Sequence, residues 1–306
     1  ADLVDAVVIA TPHTFHPPLS AAALRKGVHV LSEKPLGVTV AACRKALDVA
    51  DEHPELKFAV MYQFRSAPRW QHAKKLIDGG HIGRINRAVW TATNWFRSQA
   101  YYDSGAWRAT WKGEGGGVLM NQCPHNLDML IWLLGQPERV TARLNFGRYH
   151  DIEVEDDATL LLDYPDNATA LFIASTGEAP GEDRLTIIGD KGRIVAEAGK
   201  PLVIDTCESS IRTYSDTTSQ RMRGPELTHS EVVTPGGASH QTIIENFVAA
   251  ILDDEPLLAP AAEAIAQVEV ANAAVMSAVE DRPVDLPTDA EAYEKLLQKL
   301  IDDAGN

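Results

Sequence analysis

Short apolar runs alternate with helix-period segments at the start of the chain. Residues 4 to 11, V-D-A-V-V-I-A-T, form a β-branched run of the kind buried in a parallel sheet, and Pro12 closes it. Residues 15 to 26 carry alanine and leucine at helical spacing and stop at Gly27, where a left-handed cap is expected. V-H-V-L (28 to 31) reads as a second strand, 39 to 52 as a second helix with Thr39 at its N-cap, and K-F-A-V-M-Y (57 to 62) as a third strand. Strands separated by helices require right-handed crossovers, so the expectation is an α/β parallel sheet.

The pattern changes after Pro68. A helix through Ile77 ends at Gly79-Gly80, and alternating runs follow without helices between them. Residues 159 to 173 read as a hairpin turning on P-D-N, and 185 to 195 as another turning at Gly189, Asp190 and Gly192. Strands so connected form a largely antiparallel sheet, with the helices at 240 to 253, 261 to 280 and 289 to 302 packed on one face. The division expected is a first domain over 1–65, an α+β domain for substrate and oligomerisation over 66–290, and a C-terminal helix over 291–306 that packs back on the first domain. The uncovered sheet face is expected to meet a second subunit, giving a dimer or tetramer.

Composition narrows the functional classes. Of 306 residues 45% are hydrophobic and 23% charged, and no apolar run approaches the roughly 18 residues a membrane span needs. A net charge of −15 repels phosphate backbones, so neither membrane nor nucleic acid is an expected partner. Cys43, Cys123 and Cys207 are odd in number and never in C-x-x-C spacing, which argues against disulfides or zinc and fits a reducing cytoplasm. His13 and His16 form H-x-x-H without a carboxylate or thiolate at helical spacing, and no metal is expected there.

Ligands of parallel sheets bind beyond the carboxyl ends of the strands, here T-P-H-T-F-H (11 to 16) and S-E-K-P (32 to 35). Lys34 therefore points at the expected crevice, although a solvated turn lysine would occupy the same position. The glycine-rich stretch from Gly113 leads into a helix that closes at Gly135 and must begin around residues 120 to 123, because Pro124 is tolerated only in the first turn. On that helix Asn121, His125 and Asp128 fall within an arc of roughly 60°, a polar stripe on an otherwise apolar element. It is either an ordinary wet face or a site. Trp95, Trp107, Trp111, Tyr101 and Tyr102 offer stacking surfaces for a sugar or a nicotinamide, with core or interface packing expected of at least half of them.

The conjunction of A-T-P-H-T-F-H, G-V-H-V-L-S-E-K-P-L-G and W-R-A-T-W-K-G-E-G-G-G-V-L-M-N-Q-C-P-H-N-L-D resembles the Gfo/Idh/MocA family, the group of glucose-fructose oxidoreductase and inositol dehydrogenase. Y-Q-F-R-S-A-P-R-W after the third strand and R-P-V-D-L-P near the end extend the match from residue 3 to about 290. The resemblance implies hydride transfer between NAD or NADP and a secondary hydroxyl of a sugar or polyol, with Lys34, His125 and Asn121 at the reacting centre. It places the cofactor along Thr11, Pro12, His16, Glu33, Lys34 and Pro35, with Trp107 and Arg108 beside them. It places the substrate against Lys34, Arg65, Asn121, His125 and Asp128.

Two departures from the family pattern carry consequences. Its usual D-x-x-x-H pair falls on Asn121 and His125, and an amide cannot exchange a proton at useful pH, so Asn121 orients while His125 and Lys34 handle protons. His125, with an ordinary pKa near 6.5, would suit acid-base work. The G-x-G-x-x-G turn that binds the pyrophosphate occurs nowhere in the sequence, a gap of roughly 60 residues, or two βαβ units, expected before Ala1. The expected fold is thus an N-terminally truncated Rossmann-type sheet followed by the antiparallel one. A non-catalytic sugar-binding relative and an NAD-dependent glycosidase of the same fold are the alternative functions.

Overall fold

The computed structural model describes residues 3–305. Its first part runs β1 (Ala6–Ile9), α1 (His16–Leu24), β2 (His29–Ser32), α2 (Val40–Asp51) and β3 (Phe58–Val60). The three strands pair in parallel in the order β1-β2-β3, as the apolar runs require. Thr39 caps α2, its hydroxyl accepting from Ala42 N–H at 3.1 Å, which satisfies one of the donors a helix start leaves unpaired. Strand β1 is shorter than its apolar run: it lies at the sheet edge, and Val4 and Val8 are exposed.

The chain continues through α3 (Pro68–Asp78), β4 (Ile85–Ala92), α4 (Gln99–Tyr102), a π-helical turn (Val118–Gln122), α5 (Pro124–Leu134), β5 (Arg139–Phe146) and β6 (Glu155–Asp163). Then come β7 (Thr169–Ser175), β8 (Asp183–Gly189), β9 (Gly192–Glu197), β10 (Leu202–Thr206), α6 (Ile211–Thr217) and β11 (Thr228–Val232). The last elements are α7 (His240–Asp253), α8 (Ala261–Glu280), β12 (Val284–Asp285) and α9 (Ala290–Ala304). Strands β4 to β12 form one sheet in the order β11-β10-β9-β8-β4-β7-β6-β5-β12. Every pair is antiparallel except β4 with β7. Both expected hairpins, β6–β7 and β8–β9, form. The inner face buries Trp90, Leu160 and Phe172, while Val89, Leu161, Leu171, Ile173 and Ile188 on the outer face stay partly or fully exposed.

Helix α8 joins the two sheets. It is apolar nearly all round and accordingly buried on most sides, packing against β5, α5, α2 and β3. Its few polar side chains act as braces. Asn272 accepts from Val40 N–H and donates to the Val38 carbonyl, and Gln267 accepts from the Tyr62 hydroxyl and donates to the Leu119 carbonyl. Helix α9 packs against α2 as well as α8, with Tyr293 and Leu297 in the core of the larger part.

Candidate active site

Residues Thr11 and Pro35, in the turns beyond β1 and β2, are held together by one buried side chain. His16 places Nε2 2.7 Å from the Thr11 carbonyl and Nδ1 2.8 Å from that of Pro35. Both ring nitrogens are engaged with the protein's own carbonyls, so His16 shapes the crevice. The neighbouring His13 has Nδ1 3.3 Å from the Glu114 carbonyl, and burial together with Lys34 pushes its pKa down to about 3. Its ring meets Trp107 edge-on at 6.2 Å, and the Arg108 guanidinium lies over Trp107 and Tyr101 and donates to the Tyr101 hydroxyl at 2.9 Å. Thr11 and Pro12 are exposed at the crevice rim, and Glu33 accepts from the Lys34 N–H at 3.2 Å.

Lys34 links the two halves of the site. Its ammonium donates to the Asn121 carbonyl at 2.6 Å across 87 residues of sequence. Burial pushes its pKa below the usual lysine range, opposed by the carboxylates of Glu33 and Glu114.

The glycine-rich stretch exists because backbone comes too close there for side chains. A Cβ on Gly117 would fall 1.9 Å from the Glu155 carbonyl oxygen, and one on Gly115, at φ +75°, would strike Val38. Glu155 is buried and accepts from the N–H groups of Gly117 and Leu119 at 2.9 and 3.0 Å, fixing the start of the turn. That turn is π-helical: Cys123 N–H reaches the Val118 carbonyl at 2.8 Å, five residues back. The single α-helix expected from about residue 120 therefore begins only at Pro124. The inserted residue rotates Asn121 off the line of His125 and Asp128, and the polar stripe divides. Asn121 turns its amide to the Glu114 carboxylate, and its carbonyl takes Lys34.

His125 is buried, stacked on Phe64 at 5.0 Å, with Nε2 3.2 Å from Gln63 Nε2 and Nδ1 without a partner. Burial, with Lys34 and His240 nearby, holds its pKa well below the ordinary imidazole range. The ring is neutral at physiological pH, where the sequence suggested a titrating one. Asp128 lies behind it in a buried pair with Arg65, whose Nε and Nη2 donate at 2.9 and 2.7 Å; Arg65 also bonds Glu263. Both partners are 2% exposed. These two side chains satisfy each other and hold the Gln63–Ser66 turn against α5, so a substrate contact would fall to Gln63 and His125 in front of them.

Of the aromatic residues, Trp111 and Tyr102 are core, with the Tyr102 hydroxyl donating to Thr176 at 2.8 Å, and Trp95 donates to Asn126 at 3.2 Å. Tyr101 and Trp107 are half-buried at the crevice. Sequence reasoning passed over Glu114, Glu155 and Gln63. Glu114 stood inside G-E-G-G-G, where a charge bracketed by glycines is a signal. Glu155 sat in the acidic run E-V-E-D-D, which reads as a solvated face.

Comparison with known proteins places this geometry. Residues 1–62 match the oxidoreductase family with NAD-binding Rossmann fold, and 70–195 match the GFO/IDH/MocA C-terminal domain. The chain belongs to the Gfo/Idh/MocA family. It is 27% identical to inositol 2-dehydrogenase of Rhizobium meliloti, over 92% of this chain and 81% of that protein. It is also 27% identical to the NADP-dependent D-xylose 1-dehydrogenase of Haloarcula marismortui, but that match takes in only 54% of the relative. Among solved structures, the WlbA dehydrogenase of Bordetella pertussis in complex with NADH and UDP-GlcNAcA superposes with a TM-score of 0.75 at 27% identity, over 93% of this chain and 80% of that one. The parallel sheet is thus part of an NAD-binding fold. Its His16-braced turns, with half-buried Lys34 between them and Trp107 and Arg108 alongside, fit the nicotinamide end of such a cofactor. The donors that cradle a pyrophosphate in a G-x-G-x-x-G turn are not among the residues of this sequence.

Proposed function

We propose that this protein is a dehydrogenase that oxidises a secondary hydroxyl of a sugar or polyol, with Lys34 and His125 at the reacting centre. A bound NAD or NADP supplies the hydride acceptor. The observation that carries the reading is the 2.6 Å bond from Lys34 to the Asn121 carbonyl, which brings the turn after β2 against the start of α5 and its neutral histidine. Lys34 takes the hydroxyl proton as a neutral amine. Burial lowers its pKa and so favours that form, and the resulting ammonium stabilises developing alkoxide charge. His125, uncharged, orients the hydroxyl through a ring nitrogen, and Asn121 fixes Lys34 without exchanging protons. Thr11, Pro12, Glu33 and Pro35 would line the cofactor side.

Replacing His125 by Asn tests the reading: with the orienting ring nitrogen displaced, kcat falls by roughly 10² with cofactor affinity nearly unchanged, and Lys34→Met costs at least as much. Full activity of the His125 variant between about pH 6 and 9 would refute its role.

Two copies would pair through the outer face of the large sheet, burying Val89, Leu161, Leu171, Ile173 and Ile188. A monomer by light scattering at micromolar concentration would count against that assembly. Among the described residues no helix is long and apolar enough to cross a membrane. All three cysteines are free thiols and two are buried, consistent with a reducing cytoplasm.

A further inference from the structure

We propose that Glu114 is the carboxylate of this site: a positioning residue that sets the orientation and charge of Lys34 through the side chain and carbonyl of Asn121. The inference rests on the reading of Lys34 as the proton-handling group. Position 121 carries an amide, and Glu114 lies seven residues earlier in the chain, on the far side of the glycine run. Its side chain is 1% exposed, one oxygen accepting from the Ala109 N–H at 2.6 Å and the other from the Asn121 amide. Asn121 then connects two charges. Its side-chain NH₂ serves Glu114 and its carbonyl serves Lys34 at 2.6 Å, so a change at the carboxylate is felt at the ammonium through one residue.

Among the described residues no cation is hydrogen-bonded to Glu114. Lys34 and Arg108 act on it through space, Glu155 on β6 faces it as a second buried acid, and Tyr101 and Tyr102 on α4 stand nearby, Tyr101 beside Asn121 and Arg108. His13 touches its carbonyl and is neutral. A carboxyl buried among neutral dipoles gives up its proton late, and burial pushes this one up to about 7. Glu114 is therefore anionic above neutrality, where it favours the Lys34 ammonium, and neutral below, where it releases that hold.

The test is the rate at which Lys34 is acetylated by trace acetic anhydride, read by mass spectrometry against pH on the cofactor-free chain. The wild-type profile should show the titration of Lys34 and a second step near pH 7 from Glu114. Glu114→Gln should remove that step and speed labelling at pH above it by roughly three- to tenfold, since the anion that raised the Lys34 pKa is gone. The double variant Glu114→Gln with Asn121→Asp moves the carboxylate to position 121 and should return the rate to about the wild-type value. A group that merely fills space would show no such rescue. The proposal is overturned by a wild-type profile without the second step, a measurement that needs no variant to fold. It is overturned equally by a Glu114→Gln protein that labels as wild type, or by a folded double variant that stays fast. Labelling requires no turnover, so these outcomes are separate from failure of the dehydrogenase reading, which would appear as an active Lys34→Met protein.

Discussion

Two buried carboxylates flank the start of α5, and they are held in opposite ways. Asp128 lies against a guanidinium that donates two hydrogen bonds, while Glu114 accepts from the Ala109 N–H and the Asn121 amide. Burial raises both carboxyl pKa values, but at Asp128 the Arg65 charge and its hydrogen bonds oppose it directly. A carboxylate locked to a permanent cation becomes a strut. A carboxyl among dipoles keeps a proton it can exchange near neutral pH. The first side of the helix start fixes geometry and the second leaves room for chemistry, though both look like buried acids.

The comparison breaks most sharply at Arg65. Arg65→Met leaves Asp128 in the core without its cation, and ionising or protonating it there should cost about 3–5 kcal/mol in a denaturant titration. Arg65→Met with Asp128→Leu should cost clearly less than the two single changes added, because no lone charge is left behind. Additive losses would show that the pair is not the strut described.

Glu155 sharpens the other side. Its carboxyl, ordinarily near 4.5, is pushed up to about 7 by burial against the donors of Gly117 and Leu119. A folded-state pKa raised above the unfolded one gives stabilisation that is complete below pH 4.5 and lost as pH rises through 7. Glu155→Gln cannot titrate. Whatever its constant cost, its stability relative to wild type should improve by up to about 3 kcal/mol between those pH values and then level off. A pH-independent difference would mean that Glu155 is already ionised in the fold.

The smallest expected effect is at Tyr101, whose hydroxyl accepts from Arg108 at the half-exposed rim of the Glu114 side. Tyr101→Phe keeps the ring under the guanidinium and removes the Arg108 bond together with two long ones at 3.5 Å from Asn121 and Gln122, so its cost should stay below about 1.5 kcal/mol by thermal unfolding. A larger loss would make this rim part of the buried framework.

Much of the fold was legible because periodicity is local. The parallel strands, the Thr39 cap and the helices α7 and α8 follow from patterns within a dozen or two residues, and they suffice to put Lys34 beyond the end of β2. The π turn was not legible, since the residues that impose it lie far off: Glu155 holds Leu119 across 36 residues, and Gln267 on α8 holds its carbonyl. An even α-helical count through Val118–Gln122 therefore aligned Asn121 with Asp128, which the structure separates.

By itself the sequence determined which residue types stand at the ends of strands and helices, because dihedral preference and hydrophobic spacing act between near neighbours. Tertiary structure decided what each polar group faces. Arg65 finds Asp128 across 63 residues and Lys34 finds Asn121 across 87. Whether a carboxyl is buried beside a cation, and so held as a fixed charge, or among dipoles, and so left to titrate, depends on packing that no local pattern encodes.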